Sequence, residues 1–202
     1  MRPNVKKNHK QGFTLTETLA TVLIMSLVTM AIATGITVVR STFQKIQDKA
    51  NGQVLLSTTI TNLTDSFGYA KSVQSGNVDN PIYLDETNHW VRITQTKDGI
   101  SKEYYTEVSR SDTKTILEKS HVELLVSKSA AAGLVNTFTN YRYDFSKGKF
   151  TVNGLAIYGK EDVQIGEDGK VTAKDIPKAS LSSHIISSVA DSLPGETKLE
   201  VQ

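Results

Sequence analysis

The chain of 202 residues contains no cysteine. Disulfides, thiolate metal centres and cysteine nucleophiles are therefore excluded. Histidine is scarce: His9, His89, His121 and His184 lie far apart, and no H-E-x-x-H spacing links any two, so a zinc protease is not supported. No G-x-x-x-x-G-K-[ST] loop is present to cradle a nucleotide, and no serine sits in G-x-S-x-G. Gly166-Glu167-Asp168-Gly169 lacks the alternating oxygen ligands of a calcium loop and reads as a turn. Charge of one sign is also lacking. With 23 basic and 21 acidic residues the net charge is +2, and much of the excess sits before residue 12, so the bulk composition carries no nucleic-acid footprint. No repeat or low-complexity block occurs. The expectation is a non-enzymatic protein without metal or cofactor, while contact with nucleic acid stays open.

What the chain does have is one long apolar run. From Thr18 to Val39 there is no charged side chain, and Leu, Ile, Val, Met and Ala dominate. About 20 such residues suffice to cross a bilayer core in a helix. One carboxylate, Glu17, stands at its near edge, where an ionisable group is costly without a partner and is read as functional. Before it comes a basic stretch with Arg2, Lys6, Lys7 and Lys10 and no acidic residue, which favours a cytoplasmic N-terminus and an outward C-terminus.

Gly12, Phe13-Thr14-Leu15, Thr16, Glu17 and the following apolar helix resemble the start of a type IV pilin or pseudopilin precursor. The resemblance covers roughly the first 45 residues. It implies cleavage between Gly12 and Phe13 by a prepilin peptidase, with N-methylation of Phe13. Thr14 and Leu15 would belong to the recognition motif, and Glu17 would set register by pairing with the Phe13 amine of a neighbouring subunit. It also implies other pilin subunits, an assembly platform protein and an ATPase as partners. The expected location is the cytoplasmic (inner) membrane for the precursor, then a cell-surface filament. Thr16 and Thr18 stand where the family usually has larger apolar residues, and the run has no proline near Thr34, which points to a minor pilin or pseudopilin rather than a major one. The lack of cysteine precludes the C-terminal disulfide loop of many Gram-negative members, and a Gram-positive or anaerobic source fits.

Other readings of the same residues stay open. Gly12 can be an ordinary juxtamembrane glycine, and Glu17 a solvated interfacial carboxylate. Ala31-Ile32-Ala33 is an A-x-A-like site, so the segment can also be a secretory signal cut after Ala33, although Glu17 fits that design poorly. A single-pass anchored surface protein is the third possibility. Ala31, Ala33 and Gly35 either allow close helix approach or simply fill a lipid-facing helix.

The organisation predicted is 1–12 leader, 13–39 membrane or filament-core helix, 40–75 amphipathic continuation and 76–202 β-rich head. Apolar positions continue past Arg40 at Phe43, Ile46 and Ala50, then Leu56, Ile60, Leu63, Phe67 and Ala70, mostly three or four apart. Asn51-Gly52 is a possible kink or break within the helix. Beyond it, strands are predicted at Pro81–Leu84, His89–Thr94, Tyr104–Val108, Thr115–Leu117 and Val122–Val126. Hairpins are predicted over Lys97-Asp98-Gly99, Ser146–Lys149 and Glu167-Asp168-Gly169, and a short helix over Leu181–Leu193. A long helix packed on an antiparallel sheet, α+β, is the resulting fold class, and the resemblance implies the same. Trp90 with Tyr104-Tyr105 reads as strand core or as an exposed stacking surface. Arg142, Lys147 and Lys149 read as a solvated strand face or as an anion contact.

Overall fold

A computed structural model describes residues 14–75, 78–110, 114–166, 169–192 and 198–201. The chain divides into two compact units, residues 1–47 and 48–202, each taken by itself below. Helix α1, Leu15–Gly68, contributes to both.

In the first unit α1 is regular through Arg40, and every described residue is exposed. The absence of proline permits this, since a mid-helix proline would remove a ladder hydrogen bond. In the second unit the helix also runs through Asn51-Gly52, so the predicted break does not occur. Gly52 serves close approach instead: a Cβ there would lie 3.0 Å from Lys178 Cβ. The buried stripe continues as Leu55, Thr59, Leu63 and Phe67, a spacing of three and four that turns one face inward. The helix ends at Gly68, short of the expected residue 75, and Ala70 closes its last turn through a hydrogen bond to Phe67 O.

The strands are β1 Ser72–Val73, β2 Tyr83–Leu84, β3 Trp90–Thr96, β4 Gly99–Arg110 and β5 Lys114–Leu124. The four-residue helix α2, Lys128–Ala131, follows, capped by Ser127. Then come β6 Leu134–Thr137, β7 Asn140–Asp144, β8 Lys149–Gly159, β9 Val163–Ile165 and β10 Val171–Ala173. The last are β11 Ala179–Ser187, β12 Asp191–Ser192 and β13 Lys198–Val201. One sheet has the order β12-β1-β2-β3-β4-β5-β13, antiparallel inside and parallel at both edges. A second runs β11-β8-β6, with β7 also on β8, and β9-β10 is a separate hairpin. This is an α+β layout, one long helix packed on mostly antiparallel sheet.

Two expectations are corrected. Leu181–Ser187 is not helix but most of β11, paired antiparallel with β8 from Ala179↔Ile157 to Ser187↔Lys149. Eight residues paired with β8 outweigh the local apolar spacing that suggested a helix. Thr115–Leu117 and Val122–Val126 are not separate strands: β5 runs through both to Leu124, with irregularities at Tyr104/Tyr105 and Glu107/Ser109 of its partner. Strands β1, β6 and β13 fall where no strand was expected, and β12 falls inside the span expected as helix. Leu193, Pro194-Gly195 and Gly76 lie outside the described residues.

The core gathers on Phe67. Its ring stacks on Phe150 at 4.3 Å and meets Tyr141 at 5.0 Å and Tyr83 at 5.4 Å, so helix and both large sheets converge there. Strand β8 serves this core and a second one around Leu55 and Leu134 by bending at Gly154, φ 65°. Its inward side chains change from Phe150 and Val152 to Leu155 and Ile157 across that residue.

Candidate functional site: the apolar helix and its polar edge

Gly12 and Phe13, with the basic stretch and His9, lie outside the described residues. Thr14, Leu15 and Glu17 are described. Thr14 is the residue before the first turn of α1, and Glu17 N–H donates to its Oγ1 at 3.4 Å. Glu17 Oε2 in turn accepts from Thr14 N and from Thr14 Oγ1, both at 2.9 Å. This reciprocal arrangement is a capping box, in which two otherwise orphaned amides of a helix start are satisfied. Its T-x-x-E signature stands in the sequence, and neither the register role nor the interfacial-carboxylate reading of Glu17 includes it. Leu15 is free of this network and 82% exposed.

The run behind the cap contains six hydroxyl residues, Thr18, Thr21, Ser26, Thr29, Thr34 and Thr37. Each returns its hydroxyl proton to a carbonyl three or four residues back, at 2.6–2.8 Å. In hydrocarbon an unsatisfied donor is expensive, and this back-bonding removes that cost for all six. α1 contains a segment long and apolar enough to cross a membrane. Around it Leu19, Leu23, Ile24, Met30, Ile36 and Val39 are all more than half exposed. A soluble protein seldom exposes so large an apolar surface, which marks a lipid or a protein interface.

The remaining sequence candidates do not assemble into a reactive site. Among the described residues no group of three metal-ligating side chains comes together. His121 stacks on Tyr104 at 4.5 Å, His89 meets the same ring edge-on, and His184 lies elsewhere, 3.4 Å from Thr64 Oγ1. Trp90 and Tyr105 are buried with Ile82, Leu117 and Leu199, as strand core, whereas Tyr104 is half-buried. Arg142 is paired with Asp79, and Lys147 with Asp144 at 3.3 Å. Gly169 N donates to Gly166 O at 3.0 Å, closing the turn expected there, of which Glu167 and Asp168 lie outside the described residues.

Compared with family models, with curated proteins and with solved structures, the chain matches none.

Proposed function

We propose that the chain is a membrane-inserted precursor of a type IV pilus-like or type II secretion-like filament subunit, a minor pilin or pseudopilin. The observation that carries this reading is an exposed apolar helix whose polar edge holds a lone carboxylate, Glu17, two residues after Leu15. A secretory signal is poorly served by that carboxylate; a plain anchor uses it only to cap its first turn, whereas the filament reading uses it for register as well.

In this reading the basic stretch stays in the cytoplasm and a prepilin peptidase cuts between Gly12 and Phe13. Phe13 is then methylated, and an ATPase-driven platform extracts the subunit into a filament of other pilin-like chains. The same apolar surface serves first as anchor and then as packing surface, with Ala31, Ala33 and Gly35 allowing close approach. In the subunit by itself, the bonds from Thr14 keep the Glu17 carboxylate hydrogen-bonded. On assembly the Phe13 ammonium of a neighbour replaces them as the stronger, charged partner. The residues from about 48 onward form the outward head, which would serve adhesion, motility, secretion or DNA uptake.

The test is the intact mass of the protein produced with its host's peptidase. A chain beginning at methylated Phe13 is expected. A start at Thr34 makes it a secreted protein, and an uncut chain makes it a single-pass anchored surface protein.

A further inference from the structure

Strand β11 is an outer edge of its sheet, with β8 on one side and no strand on the other. The hydrogen bonds fix which backbone groups face out. Ser188 N–H donates to Gly148 O at 2.9 Å, so Ser188, Ile186 and His184 turn their backbone groups to β8. The alternate residues Ser183, Ile185 and Ser187 present N–H and C=O to the open side, with no partner among the described residues. All three are exposed.

The composition of this edge sets it apart. From Ala179 to Ala190 there is no Asp, Glu, Lys, Arg or Pro. Edge strands are usually blunted by such residues or kept very short, because unpaired backbone groups are a template for another chain. Other edges follow that rule. β13 has four residues, two of them Lys198 and Glu200; β12 has two, one of them Asp191; and β7 carries Arg142 and Asp144. β11, with nine residues, does not.

The occupant this edge fits is a second copy of itself. A charged segment finds no counter-charge on β11, whereas two copies of it oppose no like charges. Antiparallel pairing about a two-fold axis at Ile185 sets Ile185 against Ile185, and Ser183 against Ser187 of the other copy. Each outward N–H then meets an outward C=O, and the same patch serves both chains. The pairing also covers Ile185, the large apolar side chain of β11 that a single chain leaves 61% exposed.

We propose that two copies of this chain associate through their β11 edges, as an antiparallel strand pair centred on Ile185. The contact is far smaller than the roughly 20–30 residues a side of a stable interface, so the dimer is weak and reversible. The inference does not depend on the filament reading, because every residue it uses lies in the second unit.

The lack of cysteine makes a covalent trap the suitable test. Ile185→Cys places one thiol at the two-fold axis, and Val108→Cys places one on β4 at a site of matched exposure, 57%. Each full-length chain, in detergent micelles, is oxidised with copper phenanthroline, and dimer is followed on non-reducing gels. Ile185→Cys is expected to cross-link at least about 10-fold faster than Val108→Cys. Ser187→Pro, added to Ile185→Cys, removes an outward N–H without removing a bond to β8. It should slow the trap about 10-fold, the ratio for one or two lost hydrogen bonds. Near-ultraviolet circular dichroism checks that the double variant is folded, and Ser183→Pro takes the place of Ser187→Pro if it is not. Equal cross-linking at the two cysteine sites, no cross-linked dimer, or a rate unchanged by the proline each overturns the proposal.

Discussion

Phe67 is fully buried at the point where α1 meets both large sheets, and its three aromatic neighbours, Tyr83, Tyr141 and Phe150, have no substitute for its ring. Phe67→Ala should destabilise the head by about 3–5 kcal/mol, the usual cost of deleting a core aromatic, read as a fall in the urea midpoint at unchanged slope. Asn136 is the polar counterpart. Buried, it donates from Nδ2 to Thr59 Oγ1 at 2.9 Å and accepts from Ile100 N–H at 2.9 Å, tying helix to β4 and β6. Asn136→Ala would orphan the Ile100 amide, and a loss of about 1–3 kcal/mol is expected in the same titration. At the polar edge of α1, Glu17→Ala should leave cleavage intact while filament incorporation falls. Normal incorporation in a shear-and-sediment assay would refute the register role. Phe67 stood in the predicted apolar stripe. Asn136 carried no signal, because a lone asparagine between Val135 and Thr137 becomes structural only when folding brings Thr59 and Ile100 to it.

Among the elements, the β3–β4 hairpin turns at Lys97-Asp98 and is fastened from outside. Asp98 bonds Lys128 of α2 at 2.8 Å and Lys160 beyond β8 at 3.0 Å, and those two lysines hold its carboxyl down at about 2 against an ordinary 3.8. A carboxylate more acidic in the folded chain stabilises it above pH 4, and that contribution disappears as the pH falls towards 2. Asp98→Asn should therefore lower the melting temperature at pH 6 and flatten its decline between pH 4 and 2; both lysines are well exposed, so the effect is modest. The same strands illustrate what could be read in advance. The hairpins over Lys97–Gly99 and Ser146–Lys149 follow from turn residues between alternating strands. β11 could not be read that way. Its inward residues change from Ile186 and His184 to Leu181 and Ala179, following the bend of β8 at Gly154, so no single alternation marks it. Gly154→Ala should disrupt this bend, since φ 65° is unfavourable for alanine and its Cβ would collide with Thr139.

For the molecule as a whole, the division near residue 47 separates an exposed apolar helix from a unit with its own core. A fragment beginning at Asp48 should be soluble and unfold in one cooperative transition by circular dichroism. A molten product would mean that the head depends on the segment before it.

The sequence by itself determined the apolar run, the carboxylate at its edge, the helical stripe down to Phe67 and the turn-marked hairpins. Each is a local pattern: length, spacing or turn chemistry within a few residues. Only the tertiary structure decided that Gly52 is a contact rather than a break, and that Leu181–Ser187 is strand. Those outcomes depend on partners tens of residues away, namely Lys178 and β8. Spacing along the chain carries no record of which distant groups will meet, or which will be left unpaired.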